Sequence, residues 1–178
     1  MAFGTLNLRT LSAAILAILL LGCGGGGEPP TPPAPENPML PLPSSAVLYY
    51  DDRGGITESS LVVVRSEGDW VEEWDRATSR RAEPPPRPEI DFETHMVLVA
   101  AAGRMSPGDR IQVDSAGVRT ERTTEDEEEV FEVIVRTVEG CGGMVADIHP
   151  LTIVRLPRFA GRVSFVERTA QAECDELP

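Results

Sequence analysis

One uninterrupted apolar run decides the fold of this 178-residue chain: Met96-Val97-Leu98-Val99-Ala100-Ala101-Ala102. Its seven residues fit the length of a strand and fall short of the ten or so that a helix usually needs. Because neither face of such a strand carries a polar side chain, both faces must be covered by other parts of the protein. The run therefore predicts a central strand that is packed on both sides.

Shorter β-branched and aromatic runs on either side of this strand predict a β-rich domain. We expect a hairpin with its turn at 115–117, and a second connection through 157–161 between the last two strands. With seven or eight strands joined mostly by hairpins, the sheet should be mostly antiparallel. The strand-like runs are residues 46–50, 61–65, 110–114, 118–122, 130–138, 151–156 and 162–166.

One helix is predicted to begin immediately after Ser66. Asp69 lies three residues later, a spacing close to that of a capping box. Glu72 and Arg76 have the spacing of an i,i+4 ion pair. The apolar residues at helical spacing should either fasten the helix to the sheet or form an exposed aromatic patch, and we expect the former. The fold class is thus α+β, a mostly antiparallel β-sheet with one short helix packed on it. The apolar residues of the helix are Trp70, Val71, Trp74 and Ala77.

The first 22 residues have the pattern of a bacterial export signal. Arg9 precedes an apolar run at 11–21, which would span about 16 Å as a helix and is too short for a hydrocarbon core of ~30 Å. The run ends in Leu20-Leu21-Gly22-Cys23, which resembles a lipobox, although an ordinary signal with a coincidental cysteine is the alternative. We expect cleavage before Cys23 and its acylation, with palmitate among the chains. The protein would then be lipid-anchored in the cell envelope, in the outer membrane because Gly24 follows.

Residues 23–44 predict a tether between the lipidated cysteine and a folded domain at 45–178. Four glycines at 24–27 precede a segment with eight prolines between positions 29 and 43. Such a segment favours polyproline II at about 3.1 Å per residue, which makes a semi-rigid spacer of roughly 50 Å. Recruitment of a proline-binding module is the alternative role.

Two cysteines remain once Cys23 carries lipid. In an exported domain, Cys141 and Cys174 should form a disulfide that closes a loop of about 34 residues. Catalysis by Cys141 with His149 is an alternative, since eight residues separate them. A zinc site formed by Cys141, Cys174, His149 and His95 is a second alternative, but the spacing of these residues matches no common zinc motif.

The charge of the chain excludes one class of protein. Sixteen arginines, no lysine and 29 acidic residues give a net charge of −13, so no nucleic-acid partner is expected. The sequence lacks the common nucleophile, metal and phosphate-loop motifs, so we expect neither an enzyme nor a cofactor. The acidic run 125–129 is either a solvated hairpin tip or a loop that binds a cation.

Two motifs follow one another along the chain, Arg65-Ser66-Glu67-Gly68-Asp69-Trp70-Val71-Glu72-Glu73-Trp74 and Pro88-Glu89-Ile90-Asp91-Phe92. In these motifs and in their order, the chain resembles the PrcB C-terminal domain family. The apolar strand, the turn at 106–109 and the segment 149–158 continue the resemblance, which covers about residues 60–174. Many members carry Thr-Gly-Gly-Tyr after the apolar strand, where this chain has Met105-Ser106-Pro107-Gly108-Asp109. The resemblance implies a non-enzymatic, lipid-anchored accessory subunit of a surface protease complex, and it supplies no catalytic residues.

The sequence therefore predicts a lipid-anchored envelope protein whose small domain binds another protein, such as an exported protease that it stabilises. The contact loops would be Pro107-Gly108-Asp109-Arg110 and Gly142-Gly143-Met144, because binding residues often lie on exposed loops of a rigid sheet. The alternative is that both segments are plain turns with no role in binding. A ligand- or cation-binding module using the run 125–129, and a hydrolase of unfamiliar type, are the competing functions.

Overall fold

A computed structural model describes residues 39–122, 127–141 and 146–174. The predicted export signal, Cys23 and most of the predicted tether lie outside these residues. Within the described ranges the chain forms eight strands, one α-helix and a single 3₁₀ turn. They are β1 (Leu40–Pro41), the 3₁₀ turn (Ser44–Ala46), β2 (Val47–Asp51), β3 (Ser59–Val64), α1 (Glu67–Thr78), β4 (His95–Ala102), β5 (Arg110–Arg122), β6 (Glu127–Glu139), β7 (Leu151–Pro157) and β8 (Val163–Gln171).

The strands of the described residues form two four-stranded sheets. The inner sheet has the order β2-β7-β4-β3, and all its pairs are antiparallel. The outer sheet has the order β1-β5-β6-β8, in which β6 and β8 are parallel and the other pairs antiparallel. The prediction of a mostly antiparallel α+β fold is confirmed.

The central-strand prediction for the apolar run is also confirmed. β4 lies inside the inner sheet, between β3 and β7, and its residues from Met96 to Ala101 are at most 1% exposed. Since side chains alternate along a strand, one set faces the helix and the other faces the outer sheet. The helix-facing set is Val97, Val99 and Ala101, and the set facing the outer sheet is Met96, Leu98 and Ala100.

The helix begins as predicted, because Ser66 caps it. The Ser66 side chain accepts a hydrogen bond from the backbone N–H of Asp69, with 3.2 Å between the heavy atoms. Trp70 and Trp74 are buried against the inner sheet, so the alternative of an exposed aromatic patch is wrong. The Trp70 indole N–H also donates to the carbonyl of Pro88 at 3.0 Å, which holds the proline-rich segment after the helix in place.

Two details of the helix surface differ from the prediction. Val71 is only half-buried, because it lies at the border of the packed face. Arg76 pairs with Glu73 at 2.6 Å rather than with Glu72. Residues three apart are also neighbours on a helix, so the i,i+3 pair replaces the expected i,i+4 pair.

The predicted hairpin within residues 110–122 is wrong. This segment is one continuous strand, β5, which pairs with β6 along its whole length. The turn-like residues Ser115-Ala116-Gly117 instead follow a register shift between Val113 and Ser115. Such a β-bulge absorbs an extra residue without reversing the chain.

The segment between β7 and β8 does not close a hairpin either, since these strands belong to different sheets. β8 continues to Gln171, beyond its predicted end at residue 166, because it pairs with β6 over this whole length. The chain crosses from the inner sheet to the outer sheet between β7 and β8. Because of this crossing β8 lies parallel to β6, the one parallel pair among the described strands.

The acidic run is largely strand rather than loop. Glu127, Glu128 and Glu129 begin β6 and pair with the end of β5, whereas residues 125 and 126 lie outside the described ranges. Glu127 forms an ion pair with Arg122 at 2.6 Å. In the described residues, no helix has the length and apolar character needed to cross a bilayer.

Candidate functional site

The predicted contact turn at 107–109 follows β4 and leads into β5. The Asp109 carboxylate oxygens accept hydrogen bonds from the backbone N–H groups of Ser106 at 2.9 Å and Gly140 at 2.7 Å. Gly108 has φ of +95°, a conformation that favours glycine. Asp109 thus joins the start of β5 to the end of β6, while Gly108 is exposed and Pro107 half-buried.

The second predicted contact loop, Gly142 and Gly143, lies outside the described residues. Next to it, the structure places the sulfur atoms of Cys141 and Cys174 at disulfide distance, with the Cα atoms 5.5 Å apart. This bond would link the ends of β6 and β8. In the described part of the chain, no three His, Cys, Asp or Glu side chains come close enough to hold a metal ion.

A cleft of about 520 Å³ opens beside the C-terminal end of α1. We call it the arginine cleft. Among the described residues that line it, three are arginines and one is acidic, although the whole chain has a net charge of −13. The local charge is therefore opposite to that of the protein. The lining residues are Arg53, Arg80, Arg81, Ala82, Asp147 and His149.

Two glycines hold the backbone next to Arg53 at the cleft. Gly54 N–H donates to the carbonyl of His149 at 3.0 Å, and Gly55 N–H donates to the carbonyl of Ala77 at 2.8 Å. A Cβ atom on Gly55 would overlap the carbonyl oxygen of Arg76, so a larger residue would push the loop from the helix. The Gly-Gly pair after Arg53 thus allows the loop to contact both neighbours.

The buried carboxylate of Asp51 holds Arg81 in place. Asp51 is 2% exposed, and it accepts hydrogen bonds from the Tyr49 hydroxyl at 2.6 Å and the Arg53 N–H at 2.8 Å. Arg81 donates to both its oxygens, through Nε at 2.6 Å and through Nη2. Burial by itself would raise the pKa of Asp51, but the hydrogen bonds from Arg81, Tyr49 and the Arg53 backbone lower it below its ordinary value.

Arg80 contacts His149, the histidine of the cleft. Arg80 Nη1 lies 2.8 Å from His149 Nδ1. Because a guanidinium can only donate, Nδ1 must accept, and the hydrogen of the neutral imidazole is on Nε2. Arg80 and His149 therefore offer a ligand hydrogen-bond donors alone.

The acidic residue of the cleft is turned to solvent. The Asp147 side chain is 57% exposed and pairs with Arg104 at 3.3 Å. In the ranges that the structure describes, no acidic side chain forms an ion pair with Arg53 or Arg80. Two arginines of the cleft thus keep their charge available.

A second cleft, of about 690 Å³, adjoins the first through Arg53 and Asp147. We call it the turn groove, because the predicted contact turn forms one of its walls. Tyr50, whose side chain is apolar except for its hydroxyl, lies on another wall and is 46% exposed. The described lining consists of Tyr50, Asp52, Arg53, Pro107, Gly108, Asp109, Arg110, Ala146, Asp147 and Ile148.

The described lining of the arginine cleft contains no hydroxyl or thiol nucleophile, and Nδ1 of His149 is already occupied. Sequence reasoning found the turn but missed the arginines. The signal that was present is the pair Arg80-Arg81 directly after a helix in an acidic, lysine-free chain.

No protein-family model, no curated protein and no solved structure matches this chain. The resemblance to the PrcB C-terminal domain family therefore stays a prediction. Function has to be inferred from the chemistry of the clefts and from the sequence at the amino terminus.

Proposed function

We propose that this chain is a lipid-anchored protein of the bacterial cell envelope, in the outer membrane, whose domain binds another protein and catalyses no reaction. The partner would be an exported protease or an envelope complex that the domain stabilises. One observation carries the binding role: the arginine cleft and the turn groove share Arg53 and Asp147, and their described lining residues include four arginines and a tyrosine that is 46% exposed. Aromatic and arginine side chains are the residues that most often dominate protein interfaces.

The described end of the predicted tether does not line either cleft. Leu40 and Pro41 pair with Ala116 and Ser115 near the middle of β5. The turn groove begins at Arg110, five residues away along the same strand, or roughly 17 Å.

Cross-linked capture of the tagged full-length protein from its native envelope tests the proposal. We expect one protease or envelope complex to be recovered with the unsubstituted chain. Recovery should fall with Cys23→Ser, which removes the anchor, and with Arg53→Gln, which changes the residue shared by both clefts. The same proteins recovered from both variants at undiminished levels would contradict the proposal.

The competing function, cation binding by the acidic run 125–129, has less support. Arg122 and Arg162 already pair with Glu127 and Glu128. A bound cation would have to displace these arginines, which is electrostatically costly. Calcium-dependent thermal unfolding distinguishes the two functions, because a ligand bound only by the folded state raises its melting temperature.

A further inference from the structure

We infer that the arginine cleft is a subsite for carboxylate groups, and that it takes an Asp or Glu side chain of the partner protein. The inference rests on the proposed protein-binding function, which it makes chemically specific. The test described below needs no partner, so the two proposals fail independently.

The hydrogen-bonding groups of the cleft are mostly donors. A guanidinium has five N–H donors and no acceptor. Arg81 donates through Nε and Nη2 to Asp51, and Arg80 donates through Nη1 to His149. The remaining N–H groups of these arginines and of Arg53 can donate to a ligand, and a carboxylate accepts such bonds without adding a donor.

Two of the cleft arginines are positioned by side-chain contacts. A buried carboxylate, Asp51, holds Arg81 with its side chain 45% exposed, so part of the guanidinium can still reach a ligand. His149 orients Arg80, whereas the bonds around Gly54 fix only the backbone next to Arg53. Because Arg80 and Arg81 are restricted before a ligand arrives, their part in binding costs less conformational entropy.

The net charge of the cleft limits the size and charge of the ligand. Three arginines and one aspartate give the described lining a charge of +2, and the buried Asp51 offsets one unit of it. The rest of the protein is strongly acidic, so an extended polyanion or an anionic bilayer would be repelled around the cleft. A compact group with one or two negative charges suits it.

The geometry of the group favours a carboxylate. Its two oxygens lie in a plane and match the fork of a guanidinium, as Asp51 already does with Arg81. The turn groove continues from the cleft at Arg53, with Pro107 and Tyr50 on its walls. Residues that flank an acidic side chain in a peptide could therefore contact Tyr50 and Pro107 next to the cleft.

The experiment measures fluorescence anisotropy of labelled peptides titrated with the full-length chain in detergent at low salt. The peptides are acetylated and amidated, with the sequence Gly-Glu-Glu-Gly, its Gly-Gln-Gln-Gly counterpart, and one in which a single phosphoserine supplies the same charge. We expect the glutamate peptide to bind, the glutamine peptide to show no binding, and the phosphopeptide to bind more weakly than the glutamate peptide. Added NaCl should weaken the binding.

The matched variants are Arg80→Gln, Arg53→Gln and Arg168→Gln. Each removes one positive charge, but Arg168 lies on β8, outside both clefts. Because a hydrogen bond to a charged group is lost, Arg80→Gln and Arg53→Gln should each weaken binding about tenfold or more. Arg168→Gln should leave it unchanged. Thermal unfolding curves will show that the variants are folded.

Three outcomes would overturn the inference. The glutamine peptide binding as tightly as the glutamate peptide would show that charge is not recognised. Equal weakening by Arg168→Gln and Arg80→Gln would show that net charge, not the cleft, is responsible. Tighter binding of the phosphopeptide would assign the cleft to phosphate. If the partner is still captured from the envelope in any of these cases, protein binding stands and only the carboxylate specificity is lost.

Discussion

The ion pair between Arg81 and the buried Asp51 gives the sharpest prediction, which is tested by the substitution Asp51→Asn. One Asp51 oxygen accepts from the Tyr49 hydroxyl and from Arg81 Nε, and the other accepts from the Arg53 N–H and from Arg81 Nη2. An asparagine NH₂ group placed at the second oxygen would face two donors, and placed at the first it would face Arg81 Nε and a tyrosine hydroxyl that can turn to accept. Either way a bond from Arg81 and the carboxylate charge are lost, which should lower the free energy of unfolding by about 3 kcal/mol at pH 7.

The effect of pH follows from the lowered pKa of Asp51. A lowered pKa in the folded state means that the ionised carboxylate stabilises the protein above the ordinary aspartate pKa of about 3.9. This stability is lost as the pH falls through the folded-state pKa. The difference between wild type and Asp51→Asn should therefore be full at pH 7 and shrink below about pH 4.

Urea unfolding followed by tryptophan fluorescence measures this difference, because Trp70 and Trp74 are both buried in the folded protein. Asp75→Asn is the matched control, since Asp75 is exposed on the same helix that leads to Arg81. The control should leave the unfolding free energy nearly unchanged. Equal stability of Asp51→Asn and wild type at pH 7 would refute the importance of the buried pair.

Three further predictions concern the scaffold. Trp70→Phe should cost about 2–4 kcal/mol in urea unfolding, because it removes core volume and a hydrogen-bond donor; equal stability would contradict the packing described. Gly55→Ala should destabilise the protein, whereas Gly68→Ala, which meets no neighbour, should stabilise it by about 0.5 kcal/mol; opposite signs would contradict the loop geometry. Replacing Cys141 and Cys174 by serine should cost roughly 3–4 kcal/mol; an unchanged melting temperature would exclude the disulfide.

Local pattern was enough to predict the core elements. The apolar run at 96–102 specified a doubly covered strand, and the spacing of Trp70, Trp74 and Ala77 specified a helix with one buried face. The cap at Ser66 was also readable, because it depends on a residue three positions away. These features rest on short-range periodicity, which the sequence displays directly.

Features that depend on distant parts of the chain were not predictable in the same way. The turn-like residues 115–117 lie in a continuous strand because β6 pairs with both halves of β5. The parallel pairing of β8 depends on a crossing between two sheets. Neither the partner strand nor the crossing leaves a local mark in the sequence, so hairpins were the default expectation.

The arginine cleft was missed for the same reason. Arg80 and His149 are 69 positions apart in the chain, and Asp51 and Arg81 are 30 apart. Only the fold shows which arginines share a wall and which are neutralised by a buried acid. The predicted contact turn at 107–109 lines the turn groove, and its role in binding stays a prediction.

Site-specific photocross-linking in the native envelope tests the central claim, that this recessed surface binds another protein. The substitution Tyr50→p-benzoylphenylalanine places the photoreactive group in the turn groove, and the same replacement of Thr169 places it on the exposed part of β8. We predict one cross-linked partner from position 50 and none from position 169, with the adduct lost when Arg53→Gln is added. Equal adducts from both positions, or an adduct that is unaffected by Arg53→Gln, would contradict the claim.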